Sequence, residues 1–371
     1  MLKPGTLIEG TIRSMRRGRG ILHSGKDTVF VQHALPGERV KVRIGKRLHD
    51  GYSADITAVC KAHPERVSPP CPLYGRCGSC QLMHLSYEGQ LRWKKEQISR
   101  EAKKAGLPLQ VHDVIGMKDP YHYRNKMIIG FGRDEKGQLC AGLYEEFTHH
   151  IVPYRRCLMH PEHGDDIIAT ILTLMKKLRI EPYDERRRRG FLRHVLLRMT
   201  HDGSAVLVTL VCSDDRFPAR KAFVSELVHR HPDIHTIVLN VNRRQTSVVL
   251  GQEERILYGP GIITDELLGH TFALSASSFY QINHLQCERL YAQAYALLQP
   301  TEDMRVLDAY CGIGTIGLGI AGSIRALTGE TGGDDPHPSG MTQLLAESDY
   351  MRTYDVVYPF RETETVLRLN W

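Results

Sequence analysis

VLDAYCGIGTIGLGIAG, the segment from Val306 to Gly322, decides the fold class of the C-terminal part of this chain. A short apolar strand ends in Asp308, the chain turns through Gly312 and Gly314, and a helical pattern of small apolar residues follows. This order is typical of the first strand-turn-helix of a doubly wound α/β domain, where ligands bind beyond the carboxyl ends of the strands. The order of residues in the segment favours S-adenosylmethionine over a dinucleotide as the ligand.

A polar loop, SASSFYQIN, precedes the helix that leads into this strand. We predict that Gln281 hydrogen-bonds a ligand held against the glycine turn. Asn283 could do the same or could cap the following helix, and the sequence leaves both interpretations open. Cys311 lies in the turn itself, and we interpret it as a small packed residue rather than a nucleophile.

Four cysteines form the second strong pattern. Cys71, Cys77 and Cys80 stand in CPLYGRCGSC, and Cys157 follows in YRRCLMH. Three thiols within ten residues can reach one metal centre, and this spacing with a remote fourth ligand favours an iron–sulfur cluster. Zinc is the alternative, although its structural sites usually consist of two close pairs of ligands. Ordinary buried cysteines or disulfides are a third interpretation.

The composition predicts an intracellular chain. Nine cysteines, an odd number, and the lack of a basic-then-apolar N-terminal segment argue against an oxidised secreted protein. No stretch approaches the apolar length of a membrane span. We therefore expect a cytoplasmic protein that binds no membrane. The 371 residues, 42% of them hydrophobic, are enough for two or three domains.

Residues 1–66 are the basic part of the chain. They contain 13 Lys and Arg against 6 Asp and Glu, an excess equal to the net charge of +7 of the whole chain. Short β-rich runs separated by glycines predict a small OB-like β-barrel over residues 1–62. Eight basic residues could contact phosphates or could simply form a solvated surface: Arg13, Arg16, Arg17, Arg19, Lys41, Arg43, Lys46 and Arg47.

The middle of the chain, residues 63–265, predicts an α+β domain that carries the cysteine loop. A proline-rich linker from His63 to Pro72 separates it from the barrel. Helical periodicity after Cys80 predicts a helix that ends at Gly106. Further helices and strands are expected at Gly164–Leu178, Ala219–His229, Lys126–Phe131, Val195–Met199, Ala205–Cys212, Thr236–Val241 and Ser247–Leu250. Residues 266–371 then form the α/β domain.

The three motifs CPLYGRCGSC with Cys157, SFYQIN and VLDAYCGIGTIGL, taken together over residues 1–324, resemble the RNA (uracil-5-)-methyltransferase family. The resemblance is to its iron–sulfur members, which modify 23S ribosomal RNA and begin with a TRAM domain. It implies an enzyme of the EC 2.1.1 class, a [4Fe–4S] cluster on the four cysteines, and a TRAM barrel that contacts RNA. We expect a monomer. The implied S-adenosylmethionine contacts are Gln281, Asp308, Tyr310, Gly312, Gly314 and Thr315.

The reaction of that family requires a cysteine thiolate that adds to C6 of uracil, so that C5 can attack the methyl group, and a base that then removes the C5 proton. This chain has no cysteine after Cys311. The tail resembles the end of the family's sequences and aligns Glu364 with the catalytic base, although a solvated carboxylate is the alternative.

The length of the tail bears on the same question. Gly322–Met341 has no strand pattern, and the 69 residues from Asp303 can supply only two or three strands, whereas a complete domain needs about five or more. We therefore predict an internally truncated domain that cannot methylate uracil by the cysteine mechanism. Two alternatives stay open: a non-catalytic RNA-binding iron–sulfur protein, and a radical enzyme if Cys157 is not a ligand.

Overall fold

The computed structural model describes residues 2–146, 148–309 and 311–321 and three C-terminal strands at 326–330, 353–357 and 366–370. The chain divides into two compact units. The first comprises Met1–Pro120 and Leu143–Val152, and the second comprises Tyr121–Gly142 and Pro153–Trp371. The division into three domains at residues 62 and 265 stays a prediction. Within the described ranges, no helix is long and apolar enough to cross a membrane.

The first unit begins with a six-stranded sheet, as the β-rich runs predicted. The strands are β1 (Leu7–Thr11), β2 (Ser14–Arg16), β3 (Arg19–Ser24), β4 (Asp27–Gln32), β5 (Arg39–Leu48) and β6 (Gly51–Lys61), in the order β1-β5-β6-β4-β3-β2. In β5, exposed basic residues alternate with the buried Val40, Val42 and Ile44. This alternation places one face on the apolar core and leaves the other charged. Its relation to OB and TRAM barrels stays a prediction.

The helix predicted after the cysteine loop is α1 (Tyr87–Lys104). Ser86 caps it, because its Oγ accepts a hydrogen bond from the Gly89 N–H at 3.1 Å. Gly106 follows the end of the helix with a φ of +69°, so the prediction that a glycine ends this helix is confirmed. Trp93 of α1 packs against a small core cluster formed by Met15, Leu35 and Leu85.

A seven-stranded sheet with helices forms the α+β middle of the chain. Its strands follow the order β13-β12-β11-β10-β7-β8-β9. The elements are β7 (Lys126–Arg133), β8 (Leu139–Tyr144), β9 (Ile151–Pro153), α2 (Glu162–Leu178), β10 (Leu192–Met199), β11 (Val206–Cys212), α3 (Arg220–Arg230), β12 (Ile234–Val241) and β13 (Glu253–Tyr258).

The predicted strand at Ser247–Leu250 is wrong. Those residues are irregular, and the strand that pairs with β12 is β13, which begins at Glu253. The cause is a buried side chain: Nδ2 of Asn242 donates to the carbonyls of Val248 and Val249, each at 2.9 Å. An asparagine that binds the backbone in this way offers it an alternative to a strand partner.

The C-terminal part contains a hairpin, a helix and a four-stranded sheet. They are β14 (Ile263–Leu267), β15 (His270–Leu274), α4 (His284–Leu298), β16 (Arg305–Ala309), α5 (Thr315–Leu318), β17 (Ala326–Glu330), β18 (Thr353–Val357) and β19 (Val366–Asn370). Strands β16, β17 and β18 are parallel, and β19 is antiparallel to β18.

Two expectations about the tail are therefore wrong. The stretch after Gly322 does contain a strand, β17, and the sheet has four strands instead of two or three. The segment ALTGE of β17 has neither alternation nor a long apolar run. Its parallel pairing with β16 and β18, a long-range contact, makes it a strand.

Candidate active site

The glycine turn after β16 has the geometry that the sequence predicted. Gly312 and Gly314 have φ angles of +57° and +78°, which favour glycine. Among the described residues, no atom lies within 4 Å of the position that a Cβ on Gly312 would take. Oδ2 of Asp308 accepts the N–H of Gly317 at 2.9 Å and so joins the strand end to α5. Burial raises the pKa of Asp308, and this hydrogen bond opposes the rise.

The polar loop and the glycine turn meet at one tyrosine of α4. The hydroxyl of Tyr291 lies 2.9 Å from Oγ1 of Thr315 and is also hydrogen-bonded by the side chain of Gln281. Burial raises the pKa of Tyr291 to about 12, and both hydrogen bonds oppose the rise. The structure therefore brings together Gln281 and Thr315, two of the predicted cofactor contacts. Sequence reasoning missed Tyr291, although its i+4 spacing from Cys287 places both on one face of the helix.

The backbone of the loop is held on the other side by Asn125, whose Nδ2 donates to the carbonyl of Gln281 at 2.9 Å. Asn283 accepts the N–H of Gln286 at 3.2 Å, so the helix-cap interpretation of Asn283 is confirmed. Phe279 stands in the same loop with 68% of its surface exposed. Sequence reasoning missed this residue, and the signal was an aromatic residue inside a polar loop.

Neither thiol near the turn is a good nucleophile. Cys287 is 4% exposed, and burial raises its pKa against an opposing hydrogen bond from Tyr291. Cys311 is 9% exposed and belongs to the apolar core beneath the turn, as expected of a packed residue. The thiolate is the reactive form, so burial disfavours both. Tyr310 and Glu364 lie outside the described residues.

The cysteine loop of the first unit is folded by short backbone hydrogen bonds. The N–H groups of Tyr74 and Cys77 donate to the carbonyls of Cys71 and Leu73 at 3.1 and 2.9 Å. The N–H of Gly78 donates to the carbonyl of Tyr144 at 3.0 Å. These bonds fix the turns on which three thiols are presented, and all three are partly exposed.

Gly78 and Tyr74 show how tightly this loop packs. A Cβ on Gly78 would lie 2.8 Å from the backbone of Glu146, so only glycine fits there without a shift. The hydroxyl of Tyr74 donates to the carbonyl of Gln81 at 2.9 Å and lies 2.5 Å from Nδ1 of His84. Burial, with the charge of Arg66 nearby, lowers the pKa of His84 to about 3, so its ring is neutral at physiological pH.

A cavity of about 80 Å³ lies beside two of the thiols. Cys77 and Cys80 line it together with cationic side chains, including Arg17, Arg19 and Arg76. Arg19 is paired with Glu146 at 3.1 Å. Because Glu145 and Glu146 also line the cavity, it combines soft metal ligands with side chains of both charges.

Cys157 lies in the second unit in a polar setting that favours its thiolate. Its N–H donates to Oδ2 of Asp165 at 2.9 Å, and Nδ1 of His160 lies 3.0 Å from Oδ1 of Asp165. Burial lowers the pKa of His160, but Asp165 and Cys157 raise it to about 8. Burial raises the pKa of Cys157, but the hydrogen bond and charge of His160 outweigh burial, and that pKa lies below its ordinary value.

The donors fit a thiolate-bound centre. None of the nine cysteines, all of which lie among the described residues, forms a disulfide, so the disulfide interpretation is wrong. Cys71, Cys77, Cys80 and Cys157 are each partly exposed, unlike Cys212, which is buried and has a raised pKa. Thiolates in such settings are ligands for iron–sulfur clusters or zinc. Their joint coordination of one centre stays a prediction.

Comparison with known proteins decides the family. No protein-family model matches the chain. An uncharacterized RNA methyltransferase of Listeria innocua is 37% identical over 324 residues, which cover 86% of this chain and 71% of the relative. One from Halalkalibacterium halodurans is 37% identical over 319 residues, 85% of this chain and 69% of the relative. The chain belongs to this family of RNA methyltransferases.

The fold of this RNA methyltransferase also has a solved counterpart. The crystal structure of Pyrococcus abyssi tRNA (uracil-54, C5)-methyltransferase in complex with S-adenosyl-L-homocysteine is similar, with a TM-score of 0.67 over 94% of this chain and 89% of that chain. The two sequences are 19% identical, so the similarity concerns the fold. The chain is thus a sheet-rich, multidomain protein, as the sequence predicted.

Proposed function

We propose that this RNA methyltransferase is built to transfer a methyl group from S-adenosylmethionine to C5 of a uridine in RNA. The observation that carries the proposal is the convergence of Gln281 and Thr315 on Tyr291 beside the open Gly312 turn. Such a turn at a strand end is where nucleoside ligands bind in doubly wound sheets. The solved counterpart, a uracil C5 methyltransferase that holds S-adenosyl-L-homocysteine, supports the reaction class.

The residues of the turn fit that cofactor, which would supply an electrophilic methyl group. Gly312 leaves room for the ligand, and Asp308 fixes the strand end through Gly317. Gln281 would orient the ligand with its amide, and Tyr291 would hold Gln281 in place. Tyr310 and Gly314 complete the proposed set.

We further propose that Cys71, Cys77, Cys80 and Cys157 bind a [4Fe–4S] cluster with a structural or RNA-positioning role. The partial exposure of these thiols and the lowered pKa of Cys157 support it. Zinc on the same thiols is the alternative. Iron and acid-labile sulfide analysis of anaerobically purified protein distinguishes the two, and zinc without sulfide would refute the cluster.

RNA, and 23S rRNA in particular, is the proposed partner. The exposed basic residues of the TRAM-like barrel, among them Arg13, Arg16 and Arg43, would contact phosphates. The exposed ring of Phe279 would stack on the target uracil once it leaves the RNA stack, because aromatic residues commonly hold unstacked bases. A cytoplasmic location and a monomeric state complete the proposal.

The chain lacks the nucleophile that the resemblance requires. No cysteine follows Cys311 in the sequence, and Cys287 and Cys311 are buried. We therefore propose that this polypeptide binds cofactor and RNA without forming the cysteine adduct at C6. Glu364 is the proposed general base of the family reaction. A non-catalytic RNA-binding protein is the second candidate function, and the same burial of both thiols favours it.

The test uses the purified 371-residue chain. Calorimetric titration with S-adenosyl-L-homocysteine should show one site, weakened about tenfold in Gln281→Ala through the loss of one buried hydrogen bond of about 1.4 kcal/mol. Gln293→Ala, on the exposed side of α4, is the matched control. Equal affinity in Gln281→Ala and Gln293→Ala would refute the assigned site. Formation of 5-methyluridine in ribosomal RNA would refute the proposed lack of catalysis.

If RNA binds with a steep salt dependence while S-adenosyl-L-homocysteine does not bind, the protein is a non-catalytic RNA-binding protein. This outcome would refute the cofactor site and leave the RNA contacts intact.

A further inference from the structure

His163, His231 and Asp233 form a compact cluster in the second unit, in chain segments that include none of the predicted cofactor contacts or cluster cysteines. One possible ligand atom from each residue lies within 4.8 Å of those of the other two. Nε2 of His163 is 2.6 Å from Oδ2 of Asp233, and the two imidazole rings are 5.5 Å apart between centroids. Two imidazoles and one carboxylate form a common ligand set for zinc and other divalent transition metals.

Two of the three residues stand on one rigid turn. His231 ends α3, where its N–H donates to the carbonyl of Leu227 at 3.0 Å. The residue between His231 and Asp233 is Pro232, which fixes its own φ angle. The N–H of Ile234 closes the turn onto the carbonyl of His231 at 3.1 Å. Both side chains are therefore held by ordered backbone, as a preorganised site requires.

The third residue comes from the start of α2, 70 residues away along the chain from Asp233. Gly164, next to His163, packs so closely that a Cβ there would lie 2.6 Å from Sδ of Met127. The start of α2 is thus fixed against β7. Oγ1 of Thr170, also on α2, lies 2.8 Å from Nε2 of His231 and orients that ring. Polar partners that orient ligand histidines are typical of metal sites.

Exposure gives a metal ion access to the cluster. His231 is 8% exposed, whereas the side chains of His163 and Asp233 are 42% and 25% exposed. The set therefore has a buried side and a side open to water. This suits an ion with three protein ligands and one water molecule.

A hydrogen bond that only joins two parts of the fold would not require all three residues. The hydrogen bond between His163 and Asp233 alone joins α2 to the turn after α3. His231 takes no part in that hydrogen bond, yet it lies within ligand distance and its ring is held by Thr170. We propose that His163, His231 and Asp233 bind one zinc-class divalent ion that joins the start of α2 to the turn between α3 and β12. Its role is structural and independent of the methyl-transfer site.

Zinc titration of the full-length protein tests the site. Wild type and His229→Gln, an exposed histidine on α3 next to the site, should bind one more zinc equivalent than His231→Gln. Removal of a direct ligand should weaken that site by at least about 100-fold, since even the loss of an orienting partner weakens metal sites by about 10–100-fold. Excess Mg²⁺, which prefers oxygen ligands and octahedral geometry, should not compete.

Because cysteines also bind zinc, the test depends on the difference in zinc stoichiometry between wild type and the variants, not on the total zinc bound. Asp233→Asn keeps the size of the side chain and an acceptor for His163, so it is the variant least able to disturb folding. It should lose the zinc equivalent and also the rise in melting temperature that zinc produces in wild type. Equal zinc stoichiometry and equal zinc-induced stabilisation in wild type, His231→Gln and Asp233→Asn would overturn the proposal.

Discussion

Replacement of Glu38 by alanine should strongly destabilise the first unit. Glu38 is completely buried in the first unit and accepts four hydrogen bonds. Its Oε2 accepts the N–H of Leu35 at 2.9 Å and Nη2 of Arg66 at 2.7 Å, and its Oε1 accepts the N–H of His63 at 3.1 Å and Nε of Arg66 at 2.5 Å. One carboxylate thus joins the six-stranded part of the first unit to the segment that leads into the cysteine loop.

The magnitude follows from what remains after the change. Removal of one partner of a buried ion pair costs about 3–5 kcal/mol, because it leaves an uncompensated charge. The side chain of Arg66 is 21% exposed and keeps its hydrogen bond to the carbonyl of His33 at 2.6 Å. We therefore expect the lower end, about 3 kcal/mol. Glu9→Ala is the matched control, because its ion pair with Arg39 is solvent-exposed and should contribute under about 1 kcal/mol.

Urea unfolding followed by tryptophan fluorescence measures this difference. The chain has two tryptophans, and in a Trp371→Phe background the remaining one, Trp93, reports on the core cluster it shares with Leu35. The free energy of unfolding should fall by about 3 kcal/mol in Glu38→Ala. Equal stability of Glu38→Ala and Glu9→Ala would refute the assignment of the buried pair.

The same pair predicts a pH dependence. Burial raises the pKa of Glu38, but the hydrogen bonds from Arg66 and the backbone outweigh burial, so its pKa in the folded state lies below the ordinary value of 4.5. Its stabilisation is then fully present above pH 4.5 and is lost as the pH falls through the folded pKa. The stability difference between wild type and Glu38→Ala should be constant from about pH 7 to 5 and should shrink below 4.5. A difference that does not change down to pH 3 would contradict this.

Three further substitutions address the proposed functional sites. In Gly319→Ala, the new Cβ would lie 2.1 Å from the Tyr295 hydroxyl, so either the Tyr295 ring or the end of α5 must shift. We expect this shift to disturb the neighbouring glycine turn and to lower the affinity for S-adenosyl-L-homocysteine about tenfold or more in calorimetry; unchanged affinity would contradict this. In Gly78→Ala, the new Cβ would lie 2.8 Å from the Glu146 backbone, and the variant should bind less iron per chain after reconstitution. An unchanged iron content would show that this loop does not hold the cluster. Phe279→Ala should weaken RNA binding by about 1–3 kcal/mol in filter binding and leave the salt slope unchanged, since it removes stacking and no charge; a changed slope would argue against stacking.

Local patterns predicted the parts of the fold that local forces determine. The alternation of β5 and the glycine that ends α1 were both readable, since each depends on residues close in sequence. The strand at Ser247–Leu250 failed because Asn242, a residue outside the pattern, takes up the backbone carbonyls. Strand β17 was missed because parallel pairing across a long connection leaves no mark on five residues.

The candidate site was predictable to the same extent. Gln281 and the glycine turn could be chosen because each lies in a motif of its own. Tyr291, which joins them, belongs to an ordinary helical pattern, and only the fold places it against Thr315. The group formed by His163, His231 and Asp233 was also missed, because His163 lies 70 residues from Asp233 and a single histidine at the start of a helix carries no metal signal.

Burial of the cysteines affects only one of the two steps of the proposed reaction: it disfavours the uracil adduct and leaves the binding of the methyl donor intact. Gln281 and Asp308, two of the groups that would hold the methyl donor, are fixed by Tyr291 and by the N–H of Gly317, and neither depends on a reactive thiol. A uracil adduct, in contrast, needs a thiolate, and burial disfavours that form at Cys287 and at Cys311, the last cysteine of the sequence. Donor binding and methylation should therefore be separable: S-adenosyl-L-homocysteine should bind, while uridine-containing RNA incubated with labelled S-adenosylmethionine should gain no label. If the RNA still gains label after Cys287 and Cys311 are both substituted, the methyl transfer must use a nucleophile outside the family's mechanism.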